Sequence, residues 1–180
     1  FSMQEIKVVF LTSYELIMSL IFAMVTIYFA TKFMNKFVLS APVEEFIKKR
    51  HKSGCLISAS LICSVLYLVQ GSIEHSTLAL QSLMIAHKEF SIEILGIAFG
   101  YFIIFYIVTF LTSFILIFII SKIYRKMMEE IDFDDEIEKH DNLGLSLFLS
   151  FVLLGIVLFI DKPINHFLGS LVFHEWLEKL

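Results

Sequence analysis

The sequence predicts an all-α integral membrane protein with four transmembrane helices, arranged as two parallel two-helix repeats. Three observations carry this prediction. The first is composition: 58% of the 180 residues are hydrophobic and 18% are charged, with a mean hydropathy of +0.83, whereas a soluble domain is about 45–50% apolar and about 25% charged. Too little polar side chain exists to clothe that much apolar surface in water. The second is a set of four apolar runs, uncharged apart from Glu15 near the start of the first, each near the roughly 20 residues that cross a hydrocarbon core. The third is a gap-free likeness between the two halves when the chain is shifted by 90 residues.

The first span covers about 10–31 and contains Glu15, Ser19 and Thr26. Its basic residues, Lys32 and Lys36, follow the apolar run, the reverse of a cleaved signal peptide. The chain starts at Phe1 without a Met, which leaves room for a preceding stretch. A glycine-and-serine-marked second span follows at about 54–73. There Cys55, Ala59 and Cys63 form one small-residue stripe, and Ser60 and Ser64 form an adjacent row. Small residues let helix backbones approach closely, and serine can bond across the contact. Cys55 and Cys63 are the only cysteines. Eight residues on a helix separate them by about 12 Å, beyond disulfide reach.

The third span, about 94–121, opens with Gly96 and Gly100 in a Gly-x-x-x-Gly packing pattern and carries Thr109, Thr112 and Ser113. The fourth covers about 143–160 and is closed by Asp161. Runs this apolar must be helical in lipid, where only a helix satisfies its own backbone. Beyond the fourth span, 165–180 mixes Phe167, Leu168, Leu171, Val172, Trp176 and Leu177 with His and Glu. That pattern predicts an amphipathic helix at the outer interface.

Orientation follows from Lys and Arg. The connections after the first and third spans carry ten of them, among them Lys48, Lys49, Arg50, Lys122 and Arg125, against four on the other side (Lys7, Lys88, Lys162 and Lys179). Both long connections are therefore expected in the cytoplasm and both termini outside. The repeat divides the chain into 1–90 and 91–180. Thr31-Lys32 falls on Ser121-Lys122, Glu44-Glu45 on Asp134-Asp135, Lys49 on Lys139, Gly54 on Gly144, Ser60 on Ser150 and Ser19 on Thr109. Two spans separate the copies, so both copies point the same way across the membrane. Inverted repeats, frequent in alternating-access transporters, are not the pattern.

The unit of two spans joined by an acidic stretch, closing in Asp141-Asn142-Leu143-Gly144-Leu145-Ser146, resembles the family numbered 350 among the domains of unknown function. Those are small bacterial inner-membrane proteins built from a duplicated helix pair. The resemblance implies a bacterial inner membrane and no established activity.

Several chemistries find no residues. The net charge of −4 offers no basic face for nucleic acid. No His-Glu-x-x-His, Gly-x-Ser-x-Gly elbow, phosphate loop or Cys–His pairing occurs, so no enzyme, metal or cofactor is expected. Glu74-His75 and His174-Glu175 would be the nearest approach to an outer metal site.

Two function classes remain. The connection between the third and fourth spans holds Glu129, Glu130, Asp132, Asp134, Asp135, Glu136, Glu138 and Asp141. Its counterpart holds Lys48, Lys49 and Arg50. Together they fit a homo-oligomeric structural or sensing subunit that docks a cytosolic partner, as in an envelope or phage-defence system. The alternative is an oligomeric channel or permeation protein, with Ser19, Thr109 and Glu15 along the path. Glu15 is the only carboxylate embedded in an apolar run, and an ionisable residue within a membrane segment marks a functional path by default.

Overall fold

The computed structural model of the protein describes residues 2–86 and 91–171. Six helices follow in order: α1 (Met3–Phe37), α2 (Val43–Lys48), α3 (Lys52–Ala86), α4 (Ile92–Met127), α5 (Phe133–Glu138) and α6 (Leu143–Leu171). No strand occurs among the described residues. α1, α3, α4 and α6 are long and apolar enough to cross a membrane. The chain is an all-α, multi-pass membrane protein.

The helices outrun the predicted spans. α1 and α3 each have 35 residues, α4 has 36 and α6 has 29. At about 1.5 Å per residue, the longest exceed the roughly 30 Å hydrocarbon thickness by several turns. Local chemistry sets the ends. Ser2 and Glu5 form a reciprocal capping box at the start of α1. Ser91 accepts from the Ile94 N–H to begin α4, and Asn142 Oδ1 accepts from the Leu145 N–H to begin α6. α6 runs on through Pro163 to Leu171. A separate amphipathic helix from 165 is therefore corrected: 165–171 is the last part of the fourth long helix, and 172–180 lies outside the described residues. Proline there removes one N–H and keeps a helical φ, and its ring points to the exposed side.

α2 and α5 lie at the same end of the molecule, because Arg125 at the end of α4 reaches the Val38 carbonyl (3.2 Å) and His51 reaches the Glu138 carbonyl (2.9 Å). Hence α1 and α4 run toward this loop end, and α3 and α6 run away from it.

α3 forms the centre. It packs along α1, α4 and α6, whereas α4 and α6 touch sparsely. Half of the most apolar stretch of α3 is buried, against 22% of that of α6. Val65, Leu68 and Val69 of α3 join Ala30, Met34, Phe102, Ile117, Leu153 and Val157 in the main core. α1 meets α4 through ring contacts, Phe22 on Phe102 (4.2 Å) and Phe33 on Phe114 (4.1 Å). Shift-equivalent helices thus have unlike roles, so the four long helices lack the twofold packing that two parallel repeats would suggest.

The serine row of α3 packs as expected. Ser60 and Ser64 are buried, and their hydroxyls donate to the carbonyls of Ile57 (2.8 Å) and Ser60 (2.7 Å). The Cys55–Ala59–Cys63 stripe does not: Cys55 is half-buried while Ala59 and Cys63 are exposed. α3 turns a neighbouring face, Gly54, Ile57, Ser58 and Leu61, inward instead. Gly96 and Gly100 are likewise exposed, and a Cβ on either would meet no atom within 4 Å. Their expected packing role within one chain is corrected, since α4 buries Ile94, Ala98, Phe102 and Tyr106 on the opposite face.

Candidate membrane-level cleft and loop cluster

The space between α1, α3 and α6 is a cleft of about 680 Å³. α1 contributes Glu15, Ser19, Phe22, Ala23 and Thr26; α3 contributes Gln70, Gly71 and Glu74 with Leu66, Val69 and Ile73; α6 contributes Asp161 and Asn165. The carboxylates Glu15, Glu74 and Asp161 stand at the rim far from the loops. Ser19 and Gln70 lie about one turn deeper, and Thr26 lies about 16 Å below Glu15 along α1. Its walls are thus charged at the rim and become apolar toward Leu66 and Phe22.

Asn165 Oδ1 lies against Gly71, where an added Cβ would come within 2.3 Å of it. Its Nδ2 donates to Asp161 Oδ1 at 3.3 Å, while the buried Oδ1 has no hydrogen-bond partner. Ser19 donates to the Glu15 carbonyl (2.7 Å) and Thr26 to that of Phe22 (2.6 Å). Since the Thr26 proton is committed there, the Tyr106 hydroxyl at 2.7 Å is the donor to Thr26 Oγ1. No group of three or more His, Cys, Asp or Glu among the described residues is arranged to hold a metal ion. Carboxylates dispersed around a roomy cleft suit an extended positive charge better than a point ion.

Thr109 does not join Ser19 here. It is fully buried on α4 and donates to the Phe105 carbonyl at 2.7 Å. The shared Ser19–Thr109 path is therefore corrected, because no residue of α4 lines the cleft. The Ser113 hydroxyl likewise donates to the Thr109 carbonyl (2.7 Å). Glu15 and Ser19 do line the cleft. Gln70, the one amide within the spans and from the sequence a candidate to coat a conduit, lines the cleft, whereas sequence reading missed Asp161 and Asn165 as its partners. The available signal was spacing: Gln70 and Glu74, like Asp161 and Asn165, lie four apart and share a helix face.

At the loop end the predicted docking carboxylates divide. Asp134 accepts a two-pronged contact from Arg125 (2.6 and 2.8 Å). Asp132 caps α5, accepting from the N–H groups of Asp134 and Asp135 (3.1 and 3.2 Å). Asp135 pairs with Lys139, which holds its carboxyl below the usual range. Glu136 accepts from Asn142 (2.8 Å). These acids hold their own loop. Glu129, Glu130 and Glu138 are exposed, as are Lys48, Lys49 and Arg50, with Lys49 paired to Glu45. Arg50 and Asp141 both adopt positive φ, 54° and 48°, which ends α2 and precedes α6.

Asp141 closes the cluster. Its Oδ1 accepts from the Ser53 N–H and the Ser53 hydroxyl, each at 2.8 Å, and lies 3.3 Å from His51 Nδ1. The hydrogen bonds from Ser53, assisted by His51, lower its pKa below the ordinary carboxylate value. Ser53, His51 and Asp141 stand together: Ser53 Oγ lies 3.5 Å from His51 Nδ1, while its proton has nearer acceptors in Asp141 Oδ1 (2.8 Å) and the Ile137 carbonyl (3.0 Å). His174 and Glu175 lie outside the described residues.

No family model, no curated protein and no solved structure matches this chain.

Proposed function

We infer that the protein is a permeation-class membrane protein that admits a cationic solute through the cleft between α1, α3 and α6. One observation carries this reading: a cleft of about 680 Å³ in a chain of very apolar helices whose rim gathers Glu15, Glu74 and Asp161. Charged groups within membrane segments are costly and are kept where they meet water, a partner or a solute. A rim of one sign concentrates counter-ions at its mouth. The docking reading has weaker support, because Asp132, Asp134, Asp135 and Glu136 are engaged within their own loop.

The wider setting belongs to the same proposal. The excess of Lys and Arg near the loop end supports a cytoplasmic loop end and an outward cleft rim. The likeness to the uncharacterised bacterial family supports an inner-membrane location. The six-residue helices α2 and α5, 90 positions apart, support an origin by duplication of a two-span unit. The exposed Gly96 and Gly100 support a homo-oligomer joined through α4.

The test is flux of tetramethylammonium against acetate in vesicles containing the purified protein. Faster tetramethylammonium flux that falls in Glu15→Gln, Glu74→Gln and Asp161→Asn supports the reading. Flux equal to that of protein-free vesicles overturns it.

A further inference from the structure

α1 and α6 both pack on α3 but scarcely touch each other. The gap between them leaves one face of α3 uncovered, and Ala59, Cys63, Tyr67, Gln70 and Glu74 are exposed there. At about 100° per residue, Cys63, Gln70 and Glu74 fall within roughly 40° of one another. Gln70 and Glu74 line the cleft, so Cys63 continues their face about 16 Å nearer the loop end than Glu74. On α6, Leu154 and Leu158 are exposed and share a helix face with Asp161 and Asn165. The cleft therefore runs on toward the loop end as an apolar groove, open on the side away from α3.

We propose, building on the permeation reading, that cleft and groove together bind an amphipathic organic cation. Its positive end lies at Glu15, Glu74 and Asp161, and its apolar body lies along Leu66, Cys63 and Leu158. The charge complement is one-sided. No Lys, Arg or His is among the described residues that line the cleft. Lys162 and His166, the nearest bases on α6, are exposed and fall outside the lining. The side chains of Glu15 and Glu74 have no partner among the described residues, and Asp161 accepts from the neutral Asn165 amide.

The open side sets the rest of the ligand. A bare ion that moved from Gln70 toward Leu66 would meet hydrocarbon beside it, where charge is costly. An apolar body matches both the groove walls and the neighbouring acyl chains while its charge stays at the rim. The cleft volume of about 680 Å³ falls within the roughly 300–1,000 Å³ of sites that enclose drug-sized molecules. A helix of a second copy would leave the rim carboxylates without counter-charge, since most Lys and Arg of the chain gather at the loop end.

The test is equilibrium binding of radiolabelled tetraphenylphosphonium to the purified full chain in a nonionic detergent. Saturable binding is expected, with tetramethylammonium competing at least roughly tenfold less well. Labelled tetraphenylborate, an anion of like shape measured separately, should show no saturable binding. Glu15→Gln, Glu74→Gln and Asp161→Asn together should weaken tetraphenylphosphonium binding on the order of tenfold. Cys63→Trp, which fills the groove below Gln70, should weaken it without moving the melting temperature. Leu158→Trp on the facing wall repeats that measurement if Cys63→Trp fails to fold. Binding that neither the amide nor the tryptophan variants alter overturns the proposal. A disulfide between the Cys63 residues of two Cys55→Ser chains in membranes also overturns it, because a second copy would then fill the groove. The permeation reading is judged apart, by tetramethylammonium flux: flux without tetraphenylphosphonium binding keeps that reading and removes this one, and binding without flux does the reverse.

Discussion

His51 and Asp141 stand ninety positions apart in the chain and meet at 3.3 Å, Nδ1 to Oδ1. They are the residues that the 90-residue shift superposes on one another. Their contact ties the connection before α3 to the connection before α6. Around it the equivalence persists in changed chemistry. Asn35 donates to Glu44 (3.1 Å) where, ninety residues on, Arg125 donates to Asp134 (2.6 Å). Toward the opposite end the likeness is lost: α3 is enclosed by three helices and α6 borders two gaps.

The Asp141 contact predicts an acid-sensitive loop end. Its folded pKa is depressed by the Ser53 hydrogen bonds and then by His51. A depressed carboxylate contributes stability that is whole above its unfolded pKa and is lost as pH falls through the folded value. The ordinary aspartate value is 3.8, so the loss begins near there and continues to lower pH. Thermal unfolding in detergent should show Asp141→Asn flattening this acid limb. Asp141→Ala should lower the melting temperature at neutral pH as well, because Ser53 then loses its acceptor.

The paired glycines should behave oppositely. A Cβ at Gly54 would lie 2.3 Å from the Phe46 ring, whereas at Gly144 the nearest atom is Asn142 Oδ1 at 3.5 Å. Gly54→Ala should cost about 1–3 kcal/mol by overpacking, and Phe46→Leu should recover part of it. Gly144→Ala should be neutral or stabilise by up to about 1 kcal/mol through helix propensity. Equal melting temperatures for the two alanine variants would contradict the packing at Phe46.

Charge reversal in the acidic connection should separate loop integrity from docking. Asp134→Lys faces Arg125 and should cost about 1 kcal/mol or more, since it replaces a two-pronged ion pair with repulsion. Glu129→Lys with Glu130→Lys should leave the melting temperature within experimental scatter, because both residues are exposed. A cytosolic partner lost only in the Glu129/Glu130 variant would revive the docking reading; capture that neither variant alters would remove the loop from it.

Much of this fold was legible in the sequence. Apolar runs gave the four long helices, but the short helices α2 and α5 inside the two connections were not read from the sequence. Rotation about each helix axis was not legible. Cys55–Ala59–Cys63 and Gly54–Ser58 differ by one residue, about 100° of helix, and both are small enough to pack. Only the partner set of α3 decides between them. The cleft was half legible: Glu15 and Ser19 stood out, but their partners on α3 and α6 depend on a separation between α1 and α6 that no pattern within a helix encodes.

The cleft assignment makes its sharpest prediction at the two shift-equivalent positions Ser19 and Thr109. Ser19 lines the cleft, while Thr109 is fully buried against α3. In a chain with Cys55→Ser and Cys63→Ser, the Ser19→Cys thiol should react with a cationic, membrane-impermeant methanethiosulfonate. Thr109→Cys should stay unreacted until the protein is denatured. Because Glu15, Glu74 and Asp161 crowd the rim, the cationic reagent should outpace an anionic one on the order of tenfold at low salt. That preference should shrink as ionic strength rises, and it should fall when the three carboxylates become amides. Equal labelling of the two thiols would mean that α4 also lines a water-filled path, and a preference unmoved by the amide substitutions would place the charge elsewhere.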